Sequence, residues 1–209
     1  MPRMGLTPEK VVLAAAAMAD ERGLQAASLS GVAEHLGVRV PSLYKHIDGL
    51  DDLHARIAVL AAGNLTEALE HAVAGRQGRD ALLAVCTAHR RFAATHPGQF
   101  QALVTAALSP AQRRATGTPI ELILLKIMAD YDLRGADASH AGRALRAALT
   151  GFATLEFDGS FDDGEDVEAS FLALAALYDR GLGGASSPRR GGFRLPGLPG
   201  LPALPIPGR

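Results

Sequence analysis

The chain carries a single cysteine, Cys86. It therefore has no intramolecular disulfide and none of the cysteine-rich zinc modules. No apolar run reaches the roughly 18–20 residues that span a bilayer, so no membrane partner is expected. The opening residues, MPRMGLTPEK, lack the apolar core of a secretory signal. Together these absences predict a protein of the reducing cytoplasm. β-branched residues are sparse and alternating patterns are short, which argues against a sheet. There is no internal repeat.

Excess positive charge is missing as well. The net charge is −1. Arg189, Arg190, Arg194 and Arg209 fall in residues 183–209, which hold no acid; residues 1–182 then carry 17 basic against 22 acidic residues, a net of −5. From Glu156 to Glu168 there are seven acids and no base, a stretch that does not approach a phosphate backbone. Catalytic signatures are equally scarce. There is no P-loop, G-x-G-x-x-G, H-E-x-x-H or nucleophile elbow. Ser139-His140 adjoins no third partner and reads as a helix start. The expectation is no enzyme, no cofactor and no metal.

What is present is helix punctuation. A chain of 209 residues, 48% of them hydrophobic, is long enough to bury a sizeable core. Thr7-Pro8-Glu9 reads as N-cap, first helical position and first-turn acid, and Gly23 as the stop. Val11, Val12, Ala15, Met18 and Ala19 give that helix one apolar face. Ser28 caps LSGVAEHL, which ends at Gly37. Pro41 opens PSLYKHI, which Asp48-Gly49 breaks. Longer helices follow. Leu50, Leu53, Ile57, Leu60, Leu65 and Leu69 mark one stripe. Leu82, Val85, His89, Phe92 and His96 mark the next, and Pro97-Gly98 separates it from a segment running from Phe100 to Leu108. Ile120, Ile123, Leu124, Ile127, Met128 and Tyr131 mark another. Asp137 or Ser139 caps the one carrying Leu145, Ala148, Leu149, Phe152 and Leu155. After Asp158-Gly159 the last helix spans about 165–181. The fold class is all-α: a three-helix N-terminal domain over residues 1–49, a larger helical bundle over 50–182, and a disordered Gly/Pro-rich tail over 183–209.

Residues 28–46 have helix-turn-helix geometry. Val32, Leu36, Val38 and Leu43 pack inward, and Ala33 is small where the two helices approach. SLSGVAEHLGVRVPSLYKHIDGLDDL, with the preceding TPEKVVLAAAAMADERGLQAASL, resembles the N-terminal domain of TetR-family transcriptional regulators. GFATLEFDGSF and the final amphipathic helix resemble, less closely, the C-terminal domain of one branch. The resemblance implies a homodimer on a palindromic double-stranded DNA operator, released by a small-molecule effector. Arg39, Val40, Pro41 and Ser42 then start the recognition helix and face base edges, with Arg39 suited to guanine. Tyr44, Lys45 and His46 contact the backbone, and Ser28 holds a phosphate at a helix start. Arg3 is a further candidate in the minor groove. Leu50 stands where the family commonly has lysine, and residues 1–60 hold six basic and seven acidic residues, so a shallow salt slope is expected.

The resemblance places a pocket among the middle helices. His89, Phe92, His96, Phe100, Leu103, Met128, Tyr131 and Phe152 are the candidate lining, with Val104 beside them, and the expected ligand is mainly apolar. His89 and His96 are also read as packed core histidines. At two turns apart, roughly 10 Å, they do not share one metal ion. The dimer interface is expected at Ala148, Gly151, Phe152, Leu155, Phe171, Leu174 and Tyr178, where small residues permit close helix approach. Two other readings stay open. One is an adaptor that has lost sequence-specific DNA binding, favoured by the acids Asp51 and Asp52; the other is an all-α enzyme.

Overall fold

The computed structural model describes residues 6–162 and 164–185. Among these residues there are nine α-helices, one short 3-10 turn and no strand, so the all-α expectation holds. The expected tail and Arg3 lie outside the described residues.

Helix α1 (Pro8–Arg22) starts where the Thr7 hydroxyl accepts the Lys10 N–H at 3.3 Å, and it stops at Gly23, whose φ of 85° suits glycine. Helix α2 (Leu29–His35) is capped by Ser28, whose hydroxyl accepts the Gly31 N–H at 3.1 Å. The turn passes through Gly37 at φ 64° to α3 (Val40–Leu43). That helix is a single turn. His46 and Ile47 N–H groups both return to the Leu43 carbonyl, so the chain to residue 47 stays wound.

The longer helices are α4 (Leu50–Val73), α5 (Gly78–Thr95), α6 (Pro97–Thr105), α7 (Pro110–Asp130), α8 (Gly135–Phe157) and α9 (Val167–Ala185). Four boundaries differ from the sequence reading. His96 alone separates α5 from α6, and Pro97 starts α6 rather than standing in a gap. Helix α7 begins ten residues before Ile120, because Ser109 and Gln112 form a reciprocal capping box. Helix α8 begins at Gly135 with Arg134 as its N-cap residue, so Asp137 and Ser139 lie inside it. Helix α9 runs to Ala185, past the expected boundary at 182.

Two apolar cores result. The first joins Val11, Ala15, Val32, Leu43 and Ile47 to Leu53, Ile57 and Ala58 of α4 and Ala102 of α6. The second contains Leu65, Leu69, Leu82, Val85, Phe100, Ile127, Met128 and Leu145. Helices α4 and α6 therefore belong to both, and the first two turns of α4 pack inside the N-terminal unit.

The joint between α1 and α6 is tight. Gly98 lies against Ala19 so closely that a Cβ there would stand 2.1 Å from the Ala19 carbonyl carbon. Next to it, the Asp20 carboxylate accepts the Gln99 backbone N–H at 2.9 Å and its side-chain N–H at 2.7 Å. The Gln99 carbonyl in turn accepts from Asn64 of α4 at 2.8 Å. A carboxylate from α1 thus caps the positive end of α6, and three helices meet in one polar chain.

Candidate nucleic-acid interface and ligand cavity

Packing decides which side chains of the helix-turn-helix face outward. Leu43 and Ile47 are buried, as are Val32 and Ala33, and they fix α3 against α2 and α1. The winding of residues 40–47 then turns Arg39, Pro41, Tyr44 and Lys45 to solvent; Tyr44 is 56% exposed. Val40, Ser42 and His46 are half-buried at the edge of the same face. Arg39 is the N-cap residue of α3, so its guanidinium leaves from the leading end of the helix. His46 stands close enough to Glu9 to help hold that carboxyl below its ordinary range, behind the Thr7 hydroxyl and the backbone hydrogen bond. Seven of the eight expected DNA-contact residues thus fall within residues 39–46 and are exposed or half-buried. Ser28 lies at the start of α2, where its oxygen already serves the Gly31 amide.

Asp52 is less hostile to a phosphate than its charge implies. Its carboxylate accepts from Arg56 Nε at 2.8 Å and from the Asp48 N–H at 2.9 Å. These bonds hold its carboxyl below the usual aspartate value despite partial burial.

Apart from Phe152, which lies beside Arg90, the candidate ligand residues divide into three places. His89, Phe100, Leu103 and Val104 line a cavity of about 760 Å³ between α4, α5, α6 and α8. Phe92 and His96 line a different groove of about 710 Å³ between α4 and α5. Met128 and Tyr131 are buried in the second core, and the Tyr131 hydroxyl donates to Asp179 at 2.7 Å. Burial and that carboxylate push the Tyr131 phenol well above its ordinary value. His89 of α5 and His96 at its C-terminal cap line different spaces, each with a ring nitrogen, Nδ1, that has no hydrogen-bond partner. His89 is 4% exposed, and burial drives its imidazole down to about 4, with Arg146 adding to the shift. It is therefore neutral at physiological pH. Arg146, on the α8 wall of the same cavity, was not singled out in the sequence.

Among known proteins, the family model described as the tetracyclin repressor-like C-terminal domain matches residues 82–178. An uncharacterized HTH-type transcriptional regulator, YobS of Bacillus subtilis, is 32% identical over 181 residues, 87% of this chain and 95% of the relative. The chain belongs to the TetR family of transcriptional regulators. A solved Rhodococcus sp. RHA1 protein with unknown function superposes on this regulator at a TM-score of 0.70, with 25% identity, over 88% of this chain and 99% of the other. ActR of Streptomyces coelicolor, solved in complex with (S)-DNPA, shares the fold at a TM-score of 0.63 with 17% identity, over 85% of this chain and 96% of the other.

In this TetR-family regulator α8 and α9 carry a further feature. Arg90 of α5 grips Glu156 of α8 through two bonds, at 2.6 and 2.8 Å, and Glu168 of α9 through a third at 2.5 Å. Its guanidinium also lies 4.6 Å from the Phe171 ring centroid and 5.7 Å from that of Phe152. Phe152 and Phe171, expected at a dimer interface, lie beside Arg90 in their own chain, Phe171 buried and Phe152 half-buried. Leu174 and Tyr178 are half-buried against the same core. The outward face of α8 and α9 carries Ala144, Ala147 and Leu155, with Ala148 and Gly151 half-buried beside them, and Leu172 and Leu177. Arg90→Met is expected to cost about 1–3 kcal/mol, because it strands the partly buried Glu156 carboxylate and removes the cation from the Phe152 and Phe171 rings, whereas Glu168 is exposed. The loss should appear as a lower melting temperature and as faster amide exchange in α9 than in α2. An unchanged α9 exchange rate would show that Arg90 does not hold that helix.

Proposed function

We propose that this regulator is a homodimeric repressor that binds a palindromic operator and is released by a small molecule held in the α4–α5–α6–α8 cavity. The observation that carries the reading is the outward array around α3, with Arg39 at its leading end and Tyr44 and Lys45 in the turn that follows, on a segment anchored by buried Leu43 and Ile47. Arg39 reads a guanine edge. Val40, Pro41 and Ser42 flank it in the major groove. Tyr44, Lys45, His46 and the Ser28 hydroxyl meet phosphates. The exposed apolar face with Leu155, Leu172 and Leu177 supports a second copy seated across α8 and α9, which would set two recognition helices about 34–36 Å apart. Ala148 and Gly151 permit the close approach.

Helix α6 supplies the coupling. It carries cavity residues Phe100, Leu103 and Val104 and, one turn earlier, the Gly98 and Gln99 contacts to α1. A ligand that prefers a displaced α6 would favour the conformer with altered recognition-helix spacing. The adaptor reading loses weight because the Asp52 charge is spent on Arg56.

Selection of random duplex DNA by the purified protein tests the reading. A palindromic motif is expected, and Arg39→Ala should cost about 1–3 kcal/mol and relax one position in each half-site. No enrichment at low salt from a protein that sediments as a dimer would overturn it.

A further inference from the structure

The cavity beside α6 has an apolar body and one charged end. Leu65, Phe100 and Leu103 form the apolar part, bordered by Leu155, which is also exposed on the outward face of α8. At the other side stands Arg146, half-buried, with its Nη1 in ordinary contact distance, 3.5 Å, of where a Cβ at Gly117 of α7 would stand. No carboxylate among the described residues lies within ion-pair distance of Arg146. Glu121 acts on it only from further away, and burial holds its pKa below the ordinary arginine value. A cation set into an apolar wall without a counter-ion is costly unless a ligand supplies one. His89 lies within electrostatic reach of Arg146, is buried, is neutral, and keeps Nδ1 without a partner. One cation that lacks an ion-paired carboxylate and one neutral ring with an unpartnered nitrogen therefore line one largely apolar space.

We propose that the effector is an organic acid, a hydrocarbon or aromatic body with one carboxylate, whose anion pairs with Arg146 while His89 hydrogen-bonds to it. This deepens the ligand-responsive reading above and rests on it. A single guanidinium inside the cavity matches a monoanion; Arg143, which also lines the cavity, is exposed and screened by water. The sequence pattern hides this end of the site, because Arg146 lies among the alanines of α8 and has no acid four residues away.

The test uses the full chain and two matched pairs of probes at neutral pH: decanoate with 1-decanol, and 2-naphthoate with 2-naphthalenemethanol. Binding is followed by calorimetry. In at least one pair the acid is expected to bind about tenfold or more tightly than its alcohol, as a charge-assisted hydrogen bond in a desolvated site implies. Arg146→Met should abolish the preference while changing alcohol binding little, and Arg146→Lys should restore part of it. Melting temperature establishes that each variant is folded. Equal binding of acid and alcohol, a preference that survives in Arg146→Met, or no binding of any probe overturns the proposal. Equal binding with release of operator DNA by both would leave the cavity as the effector site and remove only the acid. The operator selection with Arg39→Ala is independent of every probe, so failure of the regulator reading is seen separately.

Discussion

Gly98→Ala should separate the two halves of this regulator. The added Cβ would fall 2.1 Å from the Ala19 carbonyl carbon, 2.2 Å from its oxygen and 2.6 Å from its Cβ. Backbone atoms inside a helix do not rotate away as the end of a side chain would, so α1 and α6 must move apart. Overpacking of this kind costs about 1–3 kcal/mol, occasionally more. The same movement stretches both bonds from Gln99 to the Asp20 carboxylate, and a lost bond to a charged group adds about 1.5–3 kcal/mol. The sum is a large part of the ~5–15 kcal/mol that holds a typical domain folded. Gly63→Ala is the matched control: Gly63 lies in α4 with nothing within 4 Å of its Cβ position, so alanine there should gain about 0.5–1 kcal/mol. Urea unfolding of the two variants should therefore move in opposite directions. Equal midpoints would mean that the α1–α6 joint is soft, and the coupling assigned to α6 would go with it.

How far the sequence could show this joint is instructive. Pro97-Gly98 reads naturally as a helix breaker, and the chain does break there, at His96. The glycine, however, is needed for contact with a helix about 80 residues earlier, and no local pattern contains that. The start of α7 was legible in principle: Ser109, Pro110 and Gln112 form a capping box with proline at the first helical position, ahead of a run too polar to show periodicity. Caps at Thr7 and Ser28, the stop at Gly23 and the inward residues of the helix-turn-helix were readable because each is a short-range requirement. The ligand residues were readable only in part. Periodicity places His89 on the buried stripe of α5, where it is, whereas His96 is the half-buried residue just past the helix end, and the two meet different neighbours. Leu65 stands opposite His89 and Asn64 lies near His96, so α4 divides the space. Phe152 and Phe171 have the spacing expected of an interface, and within the chain Arg90, Glu156 and Glu168 gather beside them; that cluster joins three helices distant in sequence.

Acid should weaken the fold through His89. Its imidazole titrates at about 4 in the folded chain against an ordinary 6.5, because burial penalises the cation and Arg146 repels it. In the unfolded chain the same ring takes up a proton near 6.5. The folded state therefore binds fewer protons between these values, and its stability falls as pH falls. The contribution is complete above 6.5 and is lost progressively as pH drops towards 4. A displacement of that size corresponds to up to about 3 kcal/mol. The carboxyls of Glu9 and Asp52, held low by their own partners, lose their contributions only below about 4.5, so the two windows separate. Glutamine at position 89 stays neutral throughout. Unfolding free energies of wild type and His89→Gln, measured from pH 7 to 4.5, should converge as pH falls, the wild type losing more. Parallel curves would show that water or a partner reaches the ring and that the site is wetter than its burial implies. A carboxylate bound at Arg146 would neutralise the repelling charge and raise the His89 value, so adding decanoate should flatten the wild-type curve and leave that of Arg146→Met unchanged.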